Sequence, residues 1–192
     1  MVSSAYVIRH GETEWSKSGR HTGRTEVPLS PQGEKNARRL AGVLGAVRFA
    51  LVLTSPRGRA LRTCELAGLG GSAAKDPDLA EWDYGDYEGL TSAEILKARP
   101  GWELFRDGCP GGESPEQVSA RADRLISRIA SVAGDAALFS HGHFGRALAA
   151  RWAGLPIVDG QVLLLDTASY GVLSFEHGSP RAPVIARWNL SP

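Results

Sequence analysis

Short apolar runs alternate with amphipathic stretches along the chain, and their order predicts the fold. The run Tyr6 to Arg9 is short and apolar enough for a buried strand, and Phe49 to Thr54 has the same character. Between them, Ser30 and Pro31 predict a helix start, because a serine N-cap followed by proline suits a first helical turn. Its buried side is predicted from Ala37, Leu40, Ala41 and Leu44.

A second helix and a third repeat the pattern. The second begins near Pro56 and stops at a group of glycines that starts with Gly68, with Ala60, Leu61 and Cys64 on one side. The third begins with Ser114, Pro115 and Gln117, which form a capping box with proline in the first turn. Its predicted buried stripe is Val118, Ala122, Leu125, Ile126, Ile129 and Ala133.

The last part of the chain predicts further strands around one more helix. Ala136 to Phe139 is apolar throughout, as in a central strand, and the helix that follows ends at Gly154 and Pro156. The runs 171–176 and 183–188 alternate as strands nearer a sheet edge do. Alternation of strands and helices predicts an α/β fold, a three-layer α/β/α sandwich with a mostly parallel central sheet. Ligands of such folds bind beyond the carboxyl ends of the strands.

Composition narrows the class of protein. The length of 192 residues suits one domain over 1–192, and a net charge of +1 argues against a nucleic-acid binder. The chain shows neither an apolar run long enough for a bilayer nor a signal-peptide pattern, so no membrane is expected and the expected location is cytoplasmic. Cys64 and Cys109 form no CxxC motif, which fits reduced thiols.

Two predicted strands end in histidine, at His10 and His141. The carboxyl ends of parallel strands meet at one edge of a sheet, so we expect these imidazoles to share a crevice. Gly142, which follows His141 as Gly11 follows His10, permits close approach of a ligand. Arg9 adds a planar donor suited to phosphate oxygens. A second such donor is expected among Arg57, Arg59 and Arg62, and their spacing does not settle which one faces the crevice.

The stretch DLAEWDYGDYEGL supplies a candidate acid. Aromatic residues can raise the pKa of a carboxyl group by desolvation, as a general acid near neutral pH requires. Spacing alone does not choose among the four carboxylates that lie among its aromatic residues. Two histidines, arginines and a tunable carboxyl are the parts that phosphoryl transfer needs, with histidine as the nucleophile. The four candidates are Glu81, Asp83, Asp86 and Glu88.

These segments together resemble the histidine phosphatase superfamily, whose fold is phosphoglycerate-mutase-like. The resemblance is carried in order by RHGETEW, GRHTGRTEVPLSPQGE, SPRGRALRT, EWDYGDYEGL and SHGHFGRAL. It implies that His10 is the nucleophile and becomes a phosphohistidine. Other roles that it implies are phosphoryl contacts for Arg9, Arg59 and His141, and proton donation by Glu81. The substrate contacts that it implies are Ser16, Thr22, Gly23, Tyr84 and Gly142, although phosphoglycerate mutases usually have asparagine in place of Ser16.

The likeness is strongest to sedoheptulose-bisphosphatase-like and broad acid phosphatase members. Phosphoglycerate mutases carry an Arg-Arg pair where this chain reads WELFRDGCPGGES. We therefore expect a phosphatase that hydrolyses phosphate monoesters of small metabolites, such as sugar phosphates or bisphosphates. A cofactor-dependent phosphoglycerate mutase and a catalytically silent module that binds phosphorylated ligands are the alternatives. Charge for a second phosphate could come from Lys17, Arg20, His21 and Arg24, which are equally consistent with ordinary surface residues.

A rival from another class is a metal-dependent hydrolase that uses His10, His141 and His143 with an acidic residue. An arginine beside the nucleophile position and the shortage of nearby carboxylates argue against it. We expect no metal and no cofactor. The expected partner is a small phosphorylated substrate rather than nucleic acid, and a homodimer is a further expectation.

Overall fold

The structure, a computed structural model, describes residues 2–179 and 182–192. The predicted strands and helices occur in the predicted order, and the described residues add one short strand and three short helices between them. The strands are β1 (Val2–Arg9), β2 (Phe49–Thr54), β3 (Ala74–Lys75), β4 (Gly134–Ser140), β5 (Tyr170–Phe175) and β6 (Pro183–Leu190). The α-helices are α1 (Glu14–Lys17), α2 (Pro31–Leu44), α3 (Gly58–Leu66), α4 (Ser92–Ala98), α5 (Leu104–Asp107), α6 (Pro115–Ala130) and α7 (Gly142–Trp152).

The predicted helix starts are confirmed by their caps. The Ser30 hydroxyl accepts a hydrogen bond from Gly33 N at the first turn of α2, at 3.0 Å. Ser114 and Gln117 form the predicted capping box of α6. One predicted member of the α6 stripe is wrong, since Ala133 lies beyond the helix and is exposed. The reason is local: Ser131 is the C-cap, and the chain turns through Gly134 at φ 118° to enter β4.

The six strands form one sheet in the order β3-β2-β4-β1-β5-β6. The strands β1 to β4 are parallel, whereas β5 lies antiparallel to both β1 and β6. Arg9 pairs with Ser140 at the ends of β1 and β4. The next residues along these neighbouring strands are His10 and His141, so the register brings the two imidazoles to one edge of the sheet.

Apolar side chains cover both faces of the sheet. Val7 and Leu138 face one core with α6 and α7, while Ile8 and Phe139 face another core with α2 and α3. Successive residues of β1 and β4 thus point to opposite faces, as a pleated strand requires. The predicted three-layer sandwich with a mostly parallel sheet is confirmed. Within residues 2–179 and 182–192, no helix has the length and apolarity to cross a bilayer.

Candidate active site

The backbone of His10 is fixed from both sides. His10 N donates to Ser140 O at 3.0 Å, and the carbonyl of His10 accepts from Ala168 N at 3.0 Å. Gly11 N donates to Thr63 Oγ1 at 3.0 Å, which fixes the turn after the strand to α3. His10 therefore lies at the strand end with little backbone freedom, as a reacting group should.

The imidazole of His10 is neutral and presents one lone pair. Its Nδ1 lies 2.7 Å from the carbonyl oxygen of Gly11, and because a carbonyl only accepts, Nδ1 carries the proton. The unprotonated atom is then Nε2. Burial first, and then the positive charges of Arg59 and Arg9, hold the pKa of His10 well below its usual 6.5. His10 is thus in the form that a nitrogen nucleophile needs near neutral pH.

His141 is placed as a hydrogen-bond donor. Its ring centroid is 5.2 Å from that of His10, and its Nε2 lies 2.7 Å from the hydroxyl oxygen of Ser55. Burial, followed by the charge of Arg59, lowers the pKa of His141 well below 6.5, so the ring is neutral. The Ser55 hydroxyl accepts from Arg57 N at 3.3 Å and is free to donate to Nε2 of His141. We assign the proton of His141 to Nδ1 on this basis.

Buried donors without a partner surround His10. Arg9 donates from Nη1 to Leu165 O at 2.6 Å, and its Nε is buried and unpaired. Arg59 is 1% exposed and also has an unpaired buried Nε, as His141 has at Nδ1. A buried donor without a partner costs free energy comparable to a lost hydrogen bond. Nε of Arg57 is also buried and unpaired, but Arg9, Arg59 and His141 are the residues whose charge or ring acts on His10. Their free donors indicate a site built for an anion.

The structure separates Arg59 from the two arginines that share its segment. Arg57 pairs with Glu26 at 3.5 Å, and Arg62 pairs with Glu34 at 2.9 Å on the surface of α3. Arg59 instead points inward, where its guanidinium donates to the backbone carbonyls of residues 22, 23 and 25 at 2.7 to 3.1 Å. It therefore also holds the loop that carries Thr22.

Among the four candidate carboxylates of the stretch DLAEWDYGDYEGL, Glu81 is the one that lines the same cavity as His10. Its carboxylate accepts from the backbone N–H of His143 at 3.1 Å and of Phe144 at 2.8 Å, in the first turn of α7. It also accepts from Trp82 N at 2.9 Å. These three N–H groups fix the orientation of the Glu81 carboxyl group at the start of α7. The other three carboxylates have other surroundings: Asp83 pairs with Arg24, Asp86 is exposed, and Glu88 binds the loop around residue 23.

A cavity of about 160 Å³ opens over His10. Arg9 and Glu81 line it, together with four of the five predicted substrate contacts: Ser16, Thr22, Tyr84 and Gly142. The fifth, Gly23, does not line the cavity. Its N–H donates to the carboxylate of Glu88 at 3.0 Å. A substrate contact by Gly23 stays a prediction. Gly142 leaves room for Arg9, because a Cβ at this position would lie 3.1 Å from Arg9 Cζ.

The hydroxyl of Ser16 is hydrogen-bonded within the first turn of α1. It accepts from Thr13 N at 2.9 Å and donates to Thr13 O at 3.0 Å, while the Thr13 hydroxyl accepts from Ser16 N. This reciprocal capping box holds the turn at the cavity rim. Ser16 still lines the cavity, so its role as a substrate contact stays a prediction.

Among the charged and aromatic residues that line the same cavity, Arg146 is the one that sequence patterns do not single out. Tyr84 Oη lies 2.6 Å from Nδ1 of His143, and the ring of His21 lies beside both. Arg20 and Arg146 add positive charge. These residues come from separate loops and helices without a shared period. Sequence patterns do not predict that Tyr84, His21 and His143 lie together, and the HGH sequence just before Arg146 is the nearest signal to that residue.

The rival metal site has no ligand group to support it. Across residues 2–179 and 182–192, histidine, cysteine and carboxylate side chains do not gather in groups of three that could hold a metal ion. Nδ1 of His10 and Nδ1 of His143 are bound to the carbonyl of Gly11 and the hydroxyl of Tyr84. The arrangement favours anion binding over metal binding.

An α/β/α fold in which a neutral imidazole lies near two buried arginines and a second neutral imidazole, each with an unpaired donor, has the parts that phosphoryl transfer requires. The sequence profile of the histidine phosphatase superfamily (branch 1) matches residues 5–190. The chain belongs to this superfamily, and the predicted resemblance is confirmed.

Relatives agree with this assignment. An acid phosphatase of Mycobacterium tuberculosis is 43% identical over 183 residues, covering 93% of this chain and 90% of that protein. A sedoheptulose 1,7-bisphosphatase of Saccharomyces cerevisiae is 33% identical, with 93% and 90% covered. A solved structure of an open reading frame product from Mycobacterium tuberculosis superposes with a TM-score of 0.91 at 41% identity, covering 98% of each chain. The prediction of a phosphomonoesterase of the histidine phosphatase type is confirmed.

Proposed function

We propose that the enzyme hydrolyses phosphate monoesters of small sugar-like metabolites through a phosphohistidine on His10. One observation carries this proposal: Nε of Arg9, Nε of Arg59 and Nδ1 of His141 are buried and unpaired around a neutral imidazole. A phosphoryl group offers several anionic oxygens, and each of these donors can take one. Nε2 of His10 is then the atom that faces phosphorus.

In the first step, Nε2 of His10 forms a bond to phosphorus while the bond from phosphorus to the ester oxygen breaks. Glu81, in its acid form, gives its proton to the departing oxygen. The carboxylate that results is stabilised by the N–H groups of Trp82, His143 and Phe144. The proton of His10 stays on Nδ1 and is donated in a hydrogen bond to the carbonyl oxygen of Gly11, which stabilises the positive ring that the attack creates.

In the second step, water attacks the phosphorus of the phosphohistidine. Glu81 takes a proton from this water, the bond from phosphorus to Nε2 breaks, and inorganic phosphate leaves. His10 returns to its neutral form with the proton still on Nδ1. Arg9, Arg59 and His141 hold the equatorial oxygens in both steps, so the same donors stabilise both transition states.

The leaving alcohol lies on the side of the cavity that Arg20 and Arg146 line. Arg146 is held by the carbonyls of Gly160 and Gln161, at 3.0 and 2.6 Å, and lies over the ring of Phe105. Fixed positive charge in the same cavity as His10 suits a substrate with a second anionic group. The relative named sedoheptulose 1,7-bisphosphatase supports sugar bisphosphates as substrates.

We also infer a cytoplasmic location and a single catalytic domain. Cys64 and Cys109 are free and buried, and burial raises the pKa of each thiol to about 12. Buried protonated thiols suit a reducing compartment. The predicted homodimer stays a proposal, and light scattering of the purified protein would test it.

The proposal is tested by screening phosphorylated metabolites for phosphate release with the wild type and with His10→Ala. The wild type is expected to release phosphate from sugar phosphates and bisphosphates, and His10→Ala to release none above background. His177→Ala, in the exposed turn Glu176–Gly178, is the matched control and is expected to equal the wild type. Equal turnover by His10→Ala and the wild type would contradict the proposal.

A further inference from the structure

A second cavity, of about 210 Å³, adjoins the one over His10. The two cavities share the wall formed by His21, Ser92, His143 and Arg146. The two histidines therefore stand between the cavity over His10 and the second cavity, within reach of a long leaving group. The far wall of the second cavity is largely apolar and is formed by Leu96, Trp102, Leu104 and Phe105.

His21 presents an acceptor to this space. Its Nδ1 lies 2.8 Å from the carbonyl oxygen of Leu90, and because that carbonyl only accepts, Nδ1 carries a proton. Burial lowers the pKa of His21 below 6.5, so the ring is neutral at neutral pH. In a neutral ring with the proton on Nδ1, Nε2 has only a lone pair. His21 can therefore accept a hydrogen bond at the cavity and cannot donate one there.

His143 presents the opposite group. Its Nδ1 lies 2.6 Å from Tyr84 Oη, and burial raises the pKa of Tyr84 well above 10, so the phenol keeps its proton. Burial, followed by the charge of Arg146, lowers the pKa of His143 well below 6.5. A phenol that keeps its proton can donate to Nδ1 of the neutral ring; we assign this direction, with the proton of His143 on Nε2. His143 is thereby a donor where His21 is an acceptor.

Both rings are fixed in orientation. They stack on each other with centroids 5.8 Å apart and an angle of 18° between their planes. Tyr84 and Trp102 pack against the ring of His21 at angles of 69° and 71°. Phe105 packs against the ring of His143 at 75°. Fixed rings place an acceptor and a donor side by side, with little entropy to lose when a ligand binds.

We propose that His21 and His143 recognise hydroxyl groups on the leaving alcohol, with His21 Nε2 accepting from one hydroxyl and His143 Nε2–H donating to another. This proposal rests on the proposed function and gives it a substrate class: phosphate esters of polyhydroxylated carbon chains. Each hydroxyl group can donate and accept at once, so neighbouring hydroxyls match both histidines. The C–H groups of such a chain would face the apolar wall of the second cavity.

An alkyl phosphate of equal length tests this proposal because it fills the same space and lacks the hydroxyls. The alkyl ester would leave Nε2 of His21 and Nε2 of His143 without a hydrogen-bond partner, which lowers its kcat/KM. The measurement is kcat/KM for a hexitol phosphate divided by kcat/KM for n-hexyl phosphate. In the wild type this preference is expected to be roughly 25- to 100-fold, about 5- to 10-fold for each hydrogen bond.

Two variants remove one partner each. His21→Phe keeps a ring against Tyr84 and removes the acceptor, whereas His143→Asn keeps an acceptor for the Tyr84 hydroxyl and removes Nε2–H. Each is expected to reduce the preference by about 5- to 10-fold, mainly by lowering kcat/KM for the hexitol ester. His177→Phe is the matched control, and its preference is expected to equal that of the wild type. The second variant keeps the test decisive if the first does not fold.

The outcomes separate this proposal from the proposed function. Equal kcat/KM values for the two esters in the wild type, with 4-nitrophenyl phosphate hydrolysed by way of His10, would overturn hydroxyl recognition and leave the phosphatase standing. A wild-type preference that both folded variants retain would overturn the role of the two histidines. Loss of the preference in either variant and not in the control supports it. Turnover that does not depend on His10 would overturn both proposals.

Discussion

Replacing Ser55 by alanine removes one hydroxyl group and tests how the site orients His141. The Ser55 hydroxyl lies 2.7 Å from His141 Nε2, and both residues are 0% exposed. Without that hydroxyl the proton of His141 is free to move from Nδ1 to Nε2. A ring protonated at Nε2 has no hydrogen on Nδ1, the unpaired atom that we assign to a phosphoryl oxygen.

The expected cost in activity is larger than the cost in stability. Loss of one transition-state donor lowers kcat by about 10²- to 10³-fold. A buried imidazole nitrogen without a partner lowers the free energy of unfolding by about 1 to 3 kcal/mol. Turnover of 4-nitrophenyl phosphate measures the first quantity and urea unfolding measures the second. Because the phosphoryl contact is the same for every ester, kcat should fall by a similar factor for sugar phosphates.

Ser140→Ala is the matched control for this substitution. Ser140 is also 0% exposed, and its hydroxyl donates to Leu79 O at 2.8 Å rather than to His141. The control should lose a similar free energy of unfolding and keep wild-type kcat. If Ser55→Ala and Ser140→Ala lose stability and kcat alike, the assignment of the His141 proton is refuted.

Three further predictions follow from the same geometry. Gly142→Ala should lower kcat and weaken inhibition by vanadate, because its Cβ would lie 3.1 Å from Arg9 Cζ; unchanged inhibition would show that Arg9 does not contact the anion. The pKa of His10 is lowered, so the neutral form persists below pH 6.5 and kcat/KM should not fall as pH drops through 6.5; an acidic limb centred there would contradict this. Glu81→Ala should lose more turnover on sugar phosphates than on 4-nitrophenyl phosphate, whose leaving group needs little protonation; equal losses would remove Glu81 as proton donor.

Features that depend on local chemistry could be predicted from the sequence. Ser30 and Ser114 marked helix starts because a cap acts within three residues of itself. His10 and His141 were expected to meet because parallel strands end at the same edge, and the register of β1 and β4 places them there. Ala133 was assigned to α6 because its spacing continued the apolar stripe, although the backbone had already turned.

Features that depend on distant loops could not be predicted from pattern. His21 and Tyr84 lie 63 positions apart in sequence and pack together, and His143 joins them from the first turn of α7. No period or spacing marks such a cluster, because its members are brought together by packing. The contact between Ser55 and His141 could not be predicted for the same reason, because the two residues are 86 positions apart in sequence.

The central claim is that Nε2 of His10 bonds to phosphorus during turnover. The most direct test is to quench the enzyme during hydrolysis of a ³²P-labelled ester and to map the label by peptide sequencing. The account predicts an acid-labile, base-stable label on the peptide that contains His10, and none in His10→Ala. Full turnover without any trapped label, or a label that maps to another residue, would contradict it.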